Sequence, residues 1–302
     1  MSRIQYTEPG AASIAPSDLA QMEKLSIPGF QGLTVPLSRA YALRPMSQTY
    51  TGALVRVRRA SDNTELDCFS VAQATSFVGS GSGYVSIWYD QSGNNRHIQQ
   101  TTLAAQPAIV ANGVLVTTNG KPAVQFDSTD DFLSGASVGA YAAGGAGQFA
   151  VLETVSGTAL GRALWHEGIL SATTRYALAH IVTGRTLSQF VKNTENATLA
   201  AAGSTAEAPA LASGQTVGVT VIDDGSTIRK RVNRTLLADV AYTRSGTMNV
   251  NTFYVNGQSN GTAVNQAAGM ILAELYEIRG TVTTANRDVI ESNLRARFPA
   301  LG

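Results

Sequence analysis

The sequence consists largely of short stretches in which apolar and polar residues alternate, separated by residues that form tight turns. Alternation with a period of two places successive side chains on opposite faces of a β-strand. It occurs in GALVRVRR (52–59), GYVSIWYD (83–90), TVGVTVID (216–223) and GMILAELYEIRG (269–280). Regular strands joined by frequent turns predict an all-β protein built as a two-sheet sandwich.

Dipeptides that favour positive φ mark several of the predicted turns. Asn112-Gly113 and Asn119-Gly120 fall between apolar stretches, and Asp224-Gly225 follows a long one. Asn-Gly and Asp-Gly supply the backbone conformation that two-residue hairpin loops require. We therefore expect antiparallel hairpins at these three places.

Only the two ends of the chain depart from the strand pattern. Near the C-terminus, TTANRDVIESNLRARF (283–298) predicts a short helix that Thr284 caps and Pro299 ends. At the N-terminus, residues 1–36 contain four of the nine prolines and a short helical stretch, SDLAQMEKL (17–25). Such a helix cannot form a core of its own. We expect residues 1–36 to form an arm and residues 37–302 the sandwich domain.

The chain carries little charge for its length. Charged residues make up 14% of the 302 residues and the net charge is +1, whereas about a quarter of an average soluble domain is charged. This balance argues against nucleic-acid binding, so the basic runs at 56–59 and 229–234 are interpreted as solvent-facing strand positions. The single cysteine, Cys68, excludes an intrachain disulfide. The first residues do not resemble a secretion signal, and no apolar stretch reaches the length of a membrane span. We therefore expect synthesis in a host cytoplasm and no membrane insertion.

The segment IWYDQSGNNRH (87–97) concentrates polar and aromatic residues. Asp90, Ser92, Gly93 and Asn94 are residue types that make tight turns, because Asp and Asn bond nearby backbone N–H groups and Gly adopts positive φ. We interpret them as a structural turn before a strand that begins at Arg96 and His97. Calcium binding by Asp90 and Asn94 is a weaker alternative, since Ca²⁺ takes six or more oxygen ligands.

Three segments together resemble one known family: residues 39–69, 86–110 and 119–133. Their order and spacing are similar to the catalytic domain of the α-L-arabinofuranosidase B family and its relatives. The resemblance implies a concanavalin A-like (LamG-type) jelly-roll sandwich over residue 37 to the end. Relatives with a YDQSGN-type segment include non-enzymatic structural proteins of bacteriophages.

The resemblance also implies where catalytic groups would lie. A retaining glycosidase uses two carboxyl groups about 5–5.5 Å apart. QFVKNTENATL (189–199) resembles the nucleophile strand, with Glu195 as the candidate. The family's general acid is an aspartate, but Gln258 or Ser259 occupies the matching turn. Neither can donate a proton as a carboxylic acid does. The family's adjacent cysteine pair has no counterpart either, so we expect a protein without catalysis.

Other chemistries have less support in the sequence. The histidines 97, 166 and 180 are scattered without zinc-ligand spacing. Asp127, Asp130 and Asp131 are interpreted as a solvated turn rather than a metal site. We therefore expect neither a metal nor a cofactor. Candidate sugar-binding residues are those with aromatic or polar side chains in the second half of the chain: Trp165, Tyr176, Asn193, Glu195 and Gln258.

Three functional hypotheses follow. The first is a non-catalytic, lectin-like structural protein of a phage virion: a capsid decoration, fibre or tail component. It would assemble as a homo-oligomer, attach to other virion proteins through residues 1–36 and bind a cell-surface glycan. The second is an arabinofuranosidase-like glycosidase with Glu195 as nucleophile and Asp223 or Glu167 as a recruited acid. The third is a free carbohydrate-binding module.

Overall fold

The structure, a computed structural model, describes residues 33–47, 49–139, 145–155, 162–168, 175–182, 186–192, 198–200, 211–243, 250–259, 264–265 and 269–302. At residues 162–163, 175–182, 186–192, 198–200, 258–259 and 264–265 it describes the backbone only. The helix predicted at residues 17–25 lies outside the described residues.

Most of the described chain is β-strand. The strands of the first half are β1 (Arg39–Ala42), β2 (Val55–Arg59), β3 (Glu65–Cys68), β4 (Gly83–Trp88), β5 (Ile98–Gln99), β6 (Ala108–Ala111), β7 (Val114–Leu115), β8 (Thr117–Thr118), β9 (Lys121–Pro122), β10 (Val124–Phe126) and β11 (Leu133–Ala136). The strands of the second half are β12 (Ala146–Thr154), β13 (Arg162–Gly168), β14 (Arg175–Val182), β15 (Thr186–Lys192), β16 (Thr198–Ala200), β17 (Thr216–Asp223), β18 (Thr227–Val232), β19 (Thr235–Leu236), β20 (Val240–Ala241), β21 (Thr252–Val255), β22 (Gln258–Ser259), β23 (Val264–Asn265) and β24 (Met270–Arg279). The helices are α1 (Val71–Val78) and α2 (Thr284–Arg297), with 3₁₀ turns at Leu103–Ala105 and Pro299–Leu301. The all-β fold class and the C-terminal helix are as predicted.

The strands form two antiparallel layers. In one layer β18, β17, β12 and β24 are neighbours, and β24 pairs along its other edge with β10 and then β1. In the other layer the order is β3, β2, β4, β5, β11, β21, β13, β14, β15 and β16. Strand β6 pairs with both β10 and β4, so the hydrogen bonding continues from one layer to the other.

The main core lies between the two layers. It contains side chains from β12, β17 and β24 on one side and from β4, β11 and β21 on the other. Tyr41 of β1 contacts Trp88 and Phe253, with ring centroids 5.9 Å and 6.5 Å away. At roughly 25 cal/mol per Å² of apolar surface removed from water, a core of this extent is the principal source of stability.

Helix α2 covers the outer face of the layer that contains β24. Ile290, Leu294 and Phe298 pack with Phe149 and Tyr276 in a second apolar cluster. The N-cap is Thr283, whose hydroxyl accepts from the Asn286 N–H at 3.2 Å. The predicted cap, Thr284, is instead the first helical residue, a shift of one position. The helix ends at Arg297, just before Pro299.

Part of the predicted N-terminal arm contacts this helix. The backbone N–H and the hydroxyl of Thr34 both donate to Asn286 Oδ1, at 2.9 Å and 3.0 Å. Leu33 and Val35 are partly buried against the second apolar cluster. Residues 33–36 therefore pack on the domain, while residues 1–32 lie outside the described residues.

The predicted hairpin turns are confirmed. Asn112 and Asn119 adopt φ of 50° and 48°, and the glycines that follow them adopt 78° and 66°. These two pairs connect β6 to β7 and β8 to β9. Gly225, between β17 and β18, has φ 95°.

A β-bulge changes the predicted face of β4. Arg56 pairs with Ile87 but Val57 pairs with Val85, so Ser86 is an extra residue. The alternation predicted for residues 83–90 would place Val85, Ile87 and Tyr89 on one face, and this prediction is therefore wrong. Val85 and Trp88 enter the core, while Ile87 is half-buried.

The two basic runs are not simply solvent-facing. Arg58 is buried. Its guanidinium is satisfied there because it donates to Gln106 Oε1 at 2.6 Å, Asn63 Oδ1 at 2.8 Å and the Leu103 carbonyl at 3.1 Å. Lys230 on β18 is fully buried. The prediction that these runs face solvent is therefore wrong at Arg58 and Lys230. Local sequence patterns carry no information about the distant segments that cover a residue.

None of the described helices is both long and apolar enough to cross a membrane.

Candidate functional site

A groove of about 810 Å³ opens beside the turn that follows β4. Its walls come from residues 36–47 and 49–53, the end of β3 and the turn at residues 89–97. Its aromatic and polar lining includes Tyr50, Asp67, Phe69, Tyr89, Asn95 and His97, and we call it the Tyr89 groove. The volume is within the roughly 300–1,000 Å³ of small-molecule binding sites.

The predicted structural turn lines the groove. Asp90 is buried, and its Oδ1 accepts from the N–H groups of Ala40 at 2.9 Å and Ser92 at 3.0 Å. Its Oδ2 accepts from the Ser92 hydroxyl at 2.8 Å and the Arg96 N–H at 3.0 Å. Gly93 has φ 89°. The Asp90 carboxylate therefore ties the turn to β1 and is already hydrogen-bonded on both oxygens.

Asn94 completes the same turn. Its side-chain amide donates to the carbonyl of Leu37 at 3.0 Å and to the Ser92 hydroxyl at 2.9 Å. The next residue, Asn95, adopts φ 56° and is exposed in the groove. These bonds join residues 37–38 to the loop after β4 and hold one wall of the groove in place.

Tyr89 and His97 form an aromatic pair on the wall. Their ring centroids are 4.9 Å apart and the rings meet edge to face. The Asp90 N–H donates to His97 Nδ1 at 3.0 Å, which assigns the proton of the neutral imidazole to Nε2. Burial and a hydrogen bond to Asp67 raise the pKa of Tyr89 to about 12. The phenol therefore stays neutral at physiological pH.

Asp67 is the accessible acid of the groove. Its side chain is 39% exposed and forms a two-point ion pair with Arg56, at 2.7 Å from Nε and 2.9 Å from Nη2. The Tyr89 hydroxyl also donates to it at 2.7 Å. The hydrogen bonds from Arg56 lower the pKa of Asp67, so this group is a hydrogen-bond acceptor rather than a proton donor.

Phe69 is an exposed apolar surface next to these polar groups. The residue is 54% exposed, although large apolar side chains are usually buried. It directly precedes the N-cap of α1, and its N–H donates to Gln73 Oε1 at 2.9 Å while Gln73 N–H donates to the Ser70 hydroxyl at 3.1 Å. This capping arrangement fixes the backbone that carries the ring.

A separate group of charged residues lies inside the sandwich. Arg39 Nε is 2.7 Å from Glu277 Oε2, and Arg39 Nη2 is 3.1 Å from Glu167 Oε1. Arg279 pairs with both carboxylates. Arg39, Glu167 and Glu277 are almost completely buried. We call these four residues the interior ion cluster, and its two positive and two negative charges balance.

The two carboxylates predicted as recruited acids are both inaccessible. Glu167 belongs to the interior ion cluster and has no exposed surface. Asp223 is equally buried and accepts from the Tyr242 hydroxyl at 2.7 Å. Neither carboxylate can therefore contact a substrate that approaches from the solvent.

The predicted sugar-binding residues fall into three classes. Trp165 was expected to form a platform, but it is fully buried in the inter-sheet core, so its ring faces are covered by protein. Tyr176 and Gln258 lie on β14 and β22, where only the backbone is described. Asn193 and Glu195 lie outside the described residues, and for these four the assignment remains a prediction.

The acidic turn after β10 holds three carboxylates within 4.8 Å of one another: those of Asp127, Asp130 and Asp131. Asp127 Oδ1 accepts from the N–H groups of Thr129 at 2.8 Å and Asp130 at 3.1 Å. Burial raises the pKa of Asp131 to about 7. These local bonds describe a self-capped turn, in which Asp127 Oδ1 and Asp131 Oδ2 already accept from backbone N–H groups.

The groove was missed from the sequence because its residues come from separate segments. The segment at residues 87–97 was identified as a turn, but its pattern contains no sign of the cavity beside it. One signal was available in the sequence. Phe69 directly precedes Ser70-x-x-Gln73, which is a capping-box pattern. That pattern would also have predicted α1, which the sequence interpretation did not include.

Comparison with known proteins supports the fold alone. No protein-family model and no curated protein matches the sequence. A GH54 α-L-arabinofuranosidase soaked with a cyclic sulfate inhibitor matches at TM-score 0.65 and 17% identity, over 88% of this chain and 63% of that one. An arabinofuranosidase complexed with arabinofuranosyl-α-1,2-xylobiose matches at TM-score 0.62 and 16% identity, over 91% and 64%.

The chain thus spans a little under two thirds of these structures. A shared fold at this identity does not transfer an activity, because function depends on the site residues that a fold carries. The part of the predicted resemblance that concerns the sandwich fold is confirmed by these matches.

Proposed function

We propose that the chain is a non-catalytic, lectin-like β-sandwich that binds carbohydrate through the Tyr89 groove. The observation that carries the proposal is the composition of this groove. It combines an exposed aromatic face, Phe69, with an accessible acceptor, Asp67, and a polar turn. Sites for small polar ligands typically pair apolar walls with a few fixed polar groups.

The groove does not offer the chemistry of a retaining glycosidase. That reaction needs two carboxyl groups facing the substrate, one as nucleophile and one as acid. Of the two aspartates that line the groove, Asp90 is buried with both oxygens occupied and Asp67 is paired with Arg56. Neither can serve as a general acid, which supports binding without hydrolysis.

As a finer proposal, we place this protein in a phage virion as a capsid decoration, fibre or tail component. Its support is the family resemblance of the YDQSGN segment, the low charge content of 14% and the proline-rich arm at residues 1–36. Attachment through that arm and assembly as a homo-oligomer belong to the same proposal. The mass of the full chain measured by light scattering tests it, because a single-chain mass with retained glycan binding favours a free binding module.

The central experiment pairs a binding assay with an activity assay. The purified full chain is applied to a glycan array and, separately, to an aryl α-L-arabinofuranoside beside a Glu195→Gln variant. We expect glycan binding and no turnover by either protein. Turnover that the Glu195→Gln change abolishes would instead establish the glycosidase alternative, and an array without any bound glycan would contradict carbohydrate binding.

A further inference from the structure

The charges around the Tyr89 groove restrict the ligands that it can accept. Its charged lining residues are Asp67 and Asp90, and neither lysine nor arginine is among the described residues that line it. Arg56 lies close by, but both of its bonded nitrogens face the Asp67 carboxylate at 2.7 Å and 2.9 Å. An anionic ligand would therefore meet acceptor oxygens where it requires cationic donors.

Phe69 provides the apolar contact that a sugar ring needs. Its side chain is exposed and its backbone is fixed at the N-terminus of α1. The C–H face of a pyranose or furanose is apolar, whereas its edge carries hydroxyl groups. An aromatic ring beside polar side chains matches such a two-sided ligand.

After their bonds within the protein, Asp67 offers one acceptor position to the ligand and His97 offers one donor. A carboxylate offers about four lone-pair positions. Asp67 Oδ1 accepts from Arg56 Nε and from the Tyr89 hydroxyl, and Oδ2 accepts from Arg56 Nη2. One position on Oδ2 remains. His97 Nδ1 is already an acceptor, so Nε2–H is the donor that the ring can offer.

These two groups contact the same tyrosine. Tyr89 donates to Asp67 at 2.7 Å and contacts the His97 ring at 4.9 Å between centroids. A pair of adjacent hydroxyl groups can donate to an acceptor and accept from a donor at the same time. The arrangement therefore suits a vicinal diol of an uncharged sugar.

We infer that the Tyr89 groove is selective for neutral saccharides, with Phe69 as the stacking surface and Asp67 and His97 Nε2 as the partners of a sugar diol. The inference rests on the proposed function and adds to it the ligand class and the residues that determine it. It excludes sialylated, uronic-acid and sulfated glycans as preferred ligands, because the described residues that line the groove include no lysine or arginine.

The test is calorimetric titration of the full chain with a neutral oligosaccharide and with its sialylated counterpart. The oligosaccharide is the best neutral binder from the array, and the buffer has physiological salt. We expect the sialylated form to bind at least about tenfold more weakly. Equal or tighter binding of the anionic form would overturn the selectivity while leaving carbohydrate binding intact.

Variants test the assignment of the residues. Phe69→Ala should weaken binding of the neutral sugar by about tenfold, and Phe69→Tyr should retain it, because only the first removes the ring. Asp67→Asn should weaken it several-fold, because a neutral amide is a poorer acceptor than a carboxylate. The matched controls are Leu236→Ala, another exposed apolar residue, and Asp62→Asn, which removes another surface Asp–Arg pair.

The outcomes separate the two levels of the proposal. Both controls should bind within about twofold of the unmodified chain, given that surface changes away from a site have small effects. Unchanged binding in Phe69→Ala and Asp67→Asn would place the sugar site outside the Tyr89 groove, which overturns this inference and the groove assignment but leaves carbohydrate binding intact. If the unmodified chain binds neither the neutral nor the anionic panel, the proposed function fails as well.

Discussion

Arg39 provides the sharpest test of how the interior is stabilised. It projects from β1 between the two layers and is 1% exposed. Its guanidinium contacts Glu277 at 2.7 Å, Glu167 at 3.1 Å and the carbonyl of Ala136 at 2.8 Å. It also lies 4.1 Å from the centroid of the Phe253 ring. Arg39 thus bonds to two buried carboxylates, and Arg279 is the second cation that pairs with both.

Replacing Arg39 with Met keeps the length of the side chain but removes its charge. Glu277 and Glu167 would then share only Arg279, so the cluster would carry one uncompensated buried charge. Removing one partner of a buried ion pair costs about 3–5 kcal/mol. Because a domain is stable by roughly 5–15 kcal/mol in total, we expect Arg39→Met to remove a large fraction of the stability.

The assay is urea unfolding at neutral pH followed by tryptophan fluorescence. Both tryptophans, Trp88 and Trp165, are fully buried in the core and report on its loss. The matched control is Arg56→Met, the same substitution in an ion pair whose side chains are 36% and 39% exposed. For that pair solvent screening limits the expected loss to about 1 kcal/mol or less.

A second variant separates charge from packing. If the loss arises from uncompensated charge, adding Glu277→Gln to Arg39→Met should recover part of it, because one buried carboxylate is neutralised. The reasoning would be refuted if Arg39→Met were no less stable than Arg56→Met. If the double variant lost more stability than the two single variants lose together, the cluster would act through packing instead.

Two further predictions concern the acidic turn and helix α2. The pKa of Asp131 is raised to about 7 in the folded chain against 3.8 for a free side chain, mainly by burial. The folded state therefore holds this proton more tightly, and stability should fall as pH rises between these values. Asp131→Asn removes this effect, so its stability relative to the unmodified chain should increase by on the order of 1–3 kcal/mol from about pH 4 to pH 8. Urea unfolding at both pH values measures it, and a difference independent of pH would contradict the assignment. Thr283→Ala removes the hydroxyl that accepts from Asn286 and should cost about 1 kcal/mol in thermal unfolding; an unchanged midpoint would mean that Thr283 is not the functional cap.

Sequence periodicity predicted the sandwich because it reports on local geometry. The alternating residues at 269–280 include β24, and the Asn-Gly pairs form hairpin turns with the expected positive φ. Such signals depend on residues close together in the chain. The same signals could not predict that Arg58 is buried, since the groups that cover it lie 45 and 48 positions away.

The candidate site was less accessible to this reasoning. The turn at Asp90 was recognisable from its residue types, and in the structure it lines the groove. The groove itself requires residues 36–47 and 49–53 to meet that turn, which no local pattern encodes. Trp165 illustrates the opposite case: an aromatic residue in a strand is compatible with a platform or a core, and only the packing of β13 decides for the core.

The bulge at Ser86 connects the fold to the groove. Up to Val85 the odd-numbered residues of β4 face the core, and one extra residue reverses this so that Trp88 faces it instead. Tyr89 therefore turns away from the core and reaches Asp67. Bulges frequently re-aim a side chain near functional sites. With strict alternation and no bulge, Tyr89 would lie on the inward face, and Asp67 and His97 would lose the ring that both of them contact.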